Sequence, residues 1–344
     1  MSFLGKSLAV FGLLFLMGCG GSSPFIETQT GDDTTTPDDE DTVADPDLPP
    51  GTANPRAGAS IERFEPTEAD GGIRGDGFAT DFERNDTDDE FTVDNLAFDG
   101  ANTYRRIAFD AASDIPDDFQ AYKSDGTFTD TFGDTDQDID QFEHRLIFRR
   151  SEDGNVQYAI VRTGQYIQYG FGGFTYERRG RVRLPTNGQA GYSGSYQAVR
   201  DFEGAGGLEY ATGDMTMAID FEDFNDGDGV QGRVTNRRIF DIDGNDITAD
   251  VVAALESDIP SLVFSVGPGV GTDAGEIVGD VSSNILQEDG SFEAFESGSY
   301  YAILQGDDAE NVVGVIVSTH TDPRAEGVTV RETGGFILER GAGD

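Results

Sequence analysis

The feature that most limits what this chain can become is a period of two that recurs between glycine-bearing turns. Met215, Met217, Ile219 and Phe221 alternate with Thr216, Ala218, Asp220 and Glu222, the pattern of a strand with one buried and one wetted face. Val230, Gly232 and Val234 alternate with Gln231, Arg233 and Thr235, and Leu262, Phe264, Val266 and then Ile277, Gly279, Val281 continue the grammar. Segments 188–199, 292–303, 311–318 and 328–339 are further strands, with Asp226-Gly227 and Asp289-Gly290 as tight turns. One short helix fits 249–257, with Thr248 as its cap. Roughly eight strands in succession, with almost no helix, predict an up-and-down antiparallel barrel or a sandwich. Closure leaves no unpaired edge, which favours the barrel.

The preceding stretch, 61–176, is β-rich in shorter pieces. Phe91–Phe98 and Tyr104–Phe109 read as strands, and His144–Arg150 and Val156–Arg162 flank the turn Glu152-Asp153-Gly154-Asn155. Residues 165–176 continue the meander. The fold class is therefore all-β: a small β-rich domain followed by an eight-stranded antiparallel β-barrel at 177–344.

Composition removes several functions. The 66 acids against 23 bases give a net charge of −43, which argues against nucleic acid, since phosphate neutralisation needs surplus Lys and Arg. The acidity is diffuse, with 26 acids and 10 bases in 61–176 and 31 and 11 in 177–344. It reads as a solvated surface. The two histidines, His144 and His320, form no metal-binding pair by spacing, and no nucleophile elbow or phosphate loop occurs. No enzyme activity, cofactor or metal is predicted.

The single cysteine is Cys19. It follows Lys6 and the apolar run Leu8–Met17, ten residues where about 20 would be needed to span a bilayer. Leu16-Met17-Gly18-Cys19 resembles the lipobox of bacterial lipoproteins. The resemblance implies a signal peptide at 1–18, cleavage before Cys19, a diacylglyceryl thioether on its sulfur, and acyl chains such as palmitate holding the protein on a membrane. Gly20, in place of an aspartate, implies sorting to the outer membrane, on its periplasmic or its outer face. Residues 19–60 then form a tether: nine acids, one base (Arg56) and the breaks Thr36-Pro37 and Leu48-Pro49-Pro50-Gly51 predict an extended, disordered linker.

Gly188-Gln189-Ala190-Gly191-Tyr192-Ser193-Gly194-Ser195-Tyr196, the strands Met215–Phe221 and Gln231–Arg237, Tyr300-Tyr301, Gly314-Val315-Ile316 and Gly334-Gly335-Phe336, taken in that order, resemble the barrel domain of the transferrin-binding protein B-like lipoproteins. The resemblance covers about 177–340 and implies that 61–176 is a handle domain before the barrel. Transferrin binders of that family carry two handle-plus-barrel lobes, whereas this chain has room for one, and no transferrin-contacting surface is recognisable. The implied function is capture of a solute or protein ligand, for handing to an outer-membrane receptor. The competing readings are a structural or adhesive envelope lipoprotein and, third, a hydrolase using one of the many carboxylate pairs.

Three constellations are candidates for ligand chemistry. Arg178, Arg179, Arg181 and Arg183 follow Glu177 in an otherwise acidic chain. On a strand, Arg179, Arg181 and Arg183 would share a face, either as an anion-binding stripe or paired with neighbouring acids. Tyr166, Tyr169, Phe171, Phe174 and Tyr176 would either stack on a sugar or apolar ligand or form core. The acidic loops 134–140, 223–228 and 241–246 have calcium-like Asp spacing but lack the glycine and glutamate of an EF-hand, and read as solvated turns.

Overall fold

A computed structural model describes residues 48–129, 137–224, 229–267, 270–287 and 289–341. The signal segment, Cys19 and most of the tether lie outside them, as does the Asp226-Gly227 turn. The described chain runs through β1 (Ile61–Phe64), β2 (Asp81–Asn85), β3 (Glu90–Asp94), β4 (Thr103–Arg106), β5 (Ala121–Ser124), β6 (Thr127–Thr129), β7 (Asp138–Asp140), β8 (His144–Arg150), β9 (Val156–Thr163) and β10 (Gly172–Arg178). Then come β11 (Gln189–Glu203), β12 (Leu208–Asp220), β13 (Val230–Phe240), the helix α1 (Thr248–Leu255), β14 (Leu262–Phe264), β15 (Glu276–Leu286), β16 (Phe292–Gln305), β17 (Asn311–Thr321) and β18 (Thr329–Arg340).

The last eight strands close into an antiparallel barrel in chain order, sealed by β11 against β18 from Tyr192↔Arg340 to Glu203↔Thr329. The first part is an eight-stranded curled sheet, ordered β1-β10-β9-β8-β5-β4-β3-β2, with β6 and β7 as a separate hairpin. Alternation explains most of the barrel. Met215, Met217 and Ile219 point inward beside Val234, Leu262, Ile277, Ile316 and Phe336, while Thr216 and Ala218 are exposed. On β17 and β18 the alternation vanishes, because the sheet covers their outer faces. Val313, Val315 and Ile337 pack there against Tyr158, Ile160, Phe174 and Tyr176 of β9 and β10. Burial on both faces makes these strands read as continuous apolar runs. The paired glycines of β18 serve the same closure. A Cβ on Gly334 would collide with the Tyr196 ring inside the barrel, and one on Gly335 with the Tyr158 ring outside it.

Three local expectations change. Thr248 is the first helical residue rather than a cap: its backbone N–H is held by Asp246, and its hydroxyl accepts the Ile239 N–H. The strand expected through Arg183 ends at Arg178, and the chain turns at Gly180, whose φ of 79° lies in the left-handed region. Residues 49–59, expected in the disordered tether, are tied to the body. Pro50 accepts the Phe64 N–H, Thr52 donates to Glu62, and Ala57 accepts the Val182 N–H. Their own charge is low, so nothing expels them from the surface they pair with.

Candidate ligand-binding cleft

Neighbouring residues on β11 and β18 alternate between the barrel interior and the seam under the sheet, so Arg200 and Glu332 enter the barrel while Asp201 and Arg331 enter the seam. In the seam, Arg331 forms a fork with Asp201 at 2.9 and 2.5 Å, pairs also with Asp76, and donates to the Gly170 carbonyl. Glu65, at the end of β1, pairs with Arg162 of β9 (Nη1–Oε2 2.8 Å) and accepts the Gly77 N–H. All five side chains are at most 6% exposed. Burial raises a carboxyl, but Arg162 overrides this at Glu65 and holds it below its ordinary value. At Asp76 the balance reverses: burial and then the Glu65 charge outweigh Arg331 and push it up to about 7.

Asp76 borders a cleft of about 800 Å³ between the loop after β1 and the loop joining β9 to β10. Its walls include Tyr166, Tyr169 and Phe171, three of the five aromatics singled out from sequence, together with Phe78. Phe78 and Phe171 meet edge to face at 5.1 Å, and Tyr166 lies 5.7 Å from Phe171. The row continues through Phe142 to Phe98. Phe78 and Tyr166 keep 40% and 36% of their surface exposed, so their faces are open to a ligand. Tyr169 is buried, with the Arg331 guanidinium 4.6 Å from its ring centre. Phe174 and Tyr176 lie elsewhere, as core between sheet and barrel. The positioning is local: Gly75 has φ 94° and Gly77 φ 69°, and a Cβ on Gly170 would strike the Thr163 carbonyl. These glycines let the two loops close to contact. Phe78, Asp76 and Arg331 do not stand out in the sequence. An aromatic beside glycines in a turn, as in Gly75-Asp76-Gly77-Phe78, is the signal that points to the first two, and none points to Arg331.

The arginines sit at the other end of β10 and are not one stripe. Arg178 is buried and donates to five backbone carbonyls, among them Ala59, Ala274 and Leu304 at 2.7 to 3.1 Å, and burial lowers it to about 10 despite the nearby Glu276. It stitches the pre-sheet segment to the barrel. Arg179 pairs with Glu177, Arg181 with Asp307 at 2.7 Å, and Arg183 is exposed. Burial of Val182 in the barrel core fixes this linker across the barrel end.

A second buried group of charges fills one end of the barrel. Arg237 forks onto Glu296 at 2.6 and 2.9 Å and reaches Glu332 at 2.9 Å; Tyr196 and Ser283 donate to the same two carboxylates. Arg200 pairs with Glu209 at 2.5 Å and meets His320 at 3.2 Å. Burial and the Arg200 charge push His320 down to about 3, so it stays neutral. His144 is likewise buried, at about 4, with Nδ1 3.2 Å from the Phe142 carbonyl. The Asp241 loop satisfies itself, Asp241 accepting from Asp243 and Asn245. Parts of the other two acidic loops, 134–136 and 225–228, lie outside the described residues. Among the described residues no three His, Cys, Asp or Glu side chains group as a metal site would require.

No protein-family model and no curated protein matches the chain. Solved structures do. A double mutant of the vaccine antigen transferrin-binding protein B from Haemophilus parasuis Hp5 is 10% identical, with a TM-score of 0.37 over 74% of this chain and 41% of that one. The intact Ap-TbpB, with N and C lobes, is 11% identical, with a TM-score of 0.33 over 78% and 43%. A surface lipoprotein is 14% identical, with a TM-score of 0.29 over 56% and 80%. The chain thus spans about two fifths of the two transferrin-binding proteins it resembles, and at these scores neither ligand nor residue roles carry over to it.

Proposed function

We propose that this protein is a lipid-anchored, non-catalytic binding protein of the outer membrane, attached through Cys19, and that its ligand seats in the cleft between the post-β1 loop and the β9–β10 loop. The observation that carries the binding role is the cleft itself: about 800 Å³, walled by aromatic rings with open faces, on loops fixed by buried ion pairs between sheet and barrel. The anchor is supported by the lipobox resemblance. Hand-over of the ligand to an outer-membrane receptor belongs to the same reading.

The absence of Trp makes tyrosine emission the reporter, with Tyr166 and Tyr169 in the cleft wall. The full chain in detergent is titrated with a panel of amines, sugars, organic acids and peptides. A saturable change with one class, lost in the Phe78→Ala/Phe171→Ala variant, which keeps both tyrosines, supports the site; no response to any member sinks it. Cys19→Ser releases the protein into the soluble fraction. Continued sedimentation of that variant with membranes overturns the anchor.

A further inference from the structure

Resting on the cleft as the binding site, we infer that its ligand is an organic cation: an alkylammonium or guanidinium group seated between the rings of Phe78, Tyr166 and Phe171 and beside Asp76. The charges beneath the cleft do not balance. Three buried carboxylates, Glu65, Asp76 and Asp201, share two buried guanidiniums, Arg162 and Arg331. Among the described residues their other hydrogen-bond partners are neutral: the N–H groups of Ile73, Gly77 and Gly170, the Gly170 carbonyl and the Thr333 hydroxyl. One negative charge is left over, and of the three carboxylates Asp76 is the one bordering the cleft. An unpaired buried charge is costly, and a cation arriving from the cleft supplies what is missing.

The walls suit the same guest. Aromatic faces attract ammonium and guanidinium groups, and their carbon bodies accept its alkyl chain. Among the described residues no three His, Cys, Asp or Glu side chains group here to hold a bare metal ion. At the rim, Glu68 and Arg74 are exposed and offset one another, with Arg74 held on Gln168 at 3.1 Å. The net charge of −43 enriches cations around the whole molecule.

A titration consequence follows from the groups facing Asp76, which are Glu65 from the β1 end, Arg162 from β9, Asp201 from β11, Arg331 from β18 and Tyr169 from the β9–β10 loop. With its carboxyl at about 7, Asp76 carries a proton below neutrality and releases it when the cation binds. Affinity therefore rises with pH, by about tenfold between pH 6 and pH 8.

The test is calorimetry on the full chain in detergent with n-butylammonium and n-butylguanidinium, and n-butanol as the uncharged match. Runs at pH 6, 7 and 8 use two buffers of different ionisation heat. Saturable binding of a cation, rejection of butanol, proton release near pH 7 and the tenfold rise support the inference, and all four are read on the wild-type protein alone. Asp76→Asn abolishes the proton release, and Tyr166→Ala/Phe171→Ala weakens binding about tenfold. Equal binding of butanol overturns the cation while leaving the cleft a ligand site. Competition by sodium at equal concentration also overturns it. Silence toward these probes and the whole panel overturns both readings. A blocked Gly-Arg-Gly peptide separates the two sources of such a group: tighter binding than butylguanidinium assigns a protein partner, weaker binding a free amine, and either supports the cation.

Discussion

The barrel interior and the seam hold two buried charge groups a residue apart on the same strands, and they are built differently. Inside the barrel, Arg200 and Arg237 hold the fully buried Glu296 and Glu332, and Arg200 also reaches Glu209, which shares Arg324 with Asp322 at the partly exposed edge. Burial would raise the Glu296 carboxyl, but Arg237 and the Ser283 hydroxyl bring it below its ordinary value. In the seam three carboxylates share two guanidiniums, and Asp76 moves the other way, to about 7. Where arginine outweighs burial, as at Glu296, the pairs lock strands together. Where burial outweighs it, as at Asp76, there is room for a charge from outside.

The largest effect is expected inside the barrel. Arg237→Met strands Glu296, leaves Glu332 with Arg200 alone, and costs about 4 kcal/mol, read as a fall in the denaturation midpoint followed by circular dichroism. A loss no greater than that of a surface substitution breaks the comparison from the barrel side. Arg331→Met comes next, at roughly 3 kcal/mol, since it leaves Asp201 and Asp76 without their shared partner. Asp76→Asn in that background restores part of the loss, and a double-mutant cycle showing no coupling separates the two residues.

The third effect is one of pH. A carboxyl raised from its ordinary value of 3.8 to about 7 gives stability that is full below about pH 4 and is lost as pH rises toward and through 7. A rise of that size corresponds to an upper figure of roughly 4 kcal/mol. Asp76→Asn flattens that decline in midpoint between pH 4 and 8, and an unchanged slope assigns it to other groups. The smallest effect is Arg181→Ala: the pair with Asp307 is exposed, and its removal leaves the midpoint in place. A clear loss there restores structural weight to the arginine run.

The barrel was legible wherever one face of a strand is wet. Met215–Phe221 shows its inward residues plainly, and Glu332 is readable too, because it shares parity with Gly334, Phe336 and Leu338. Its partners were not. Arg237 lies 95 residues from Glu332, and Arg331 lies 255 residues from Asp76, so pattern in sequence carries no trace of the pairing. Arg178 misled for a related reason: a charged run reads as surface, whereas its first arginine is buried among carbonyls. The aromatic cluster divided because alternation along β10 sends Phe174 and Tyr176 under the sheet, while Tyr166, Tyr169 and Phe171 precede the strand in a loop that no periodicity orients.

The pairing of β11 with β18 has a consequence for how the molecule comes to be made. Neither strand can complete its hydrogen bonds until the other is present, and Arg331, which fastens the Asp76 loop, lies on the later of the two. Such long-range closure slows folding, because the entropy of bringing distant segments together is spent before the contacts repay it. The cleft cannot take shape until β18 has docked. Until then the chain carries an open β11 edge and an unformed cleft, so the cleft belongs only to the finished fold.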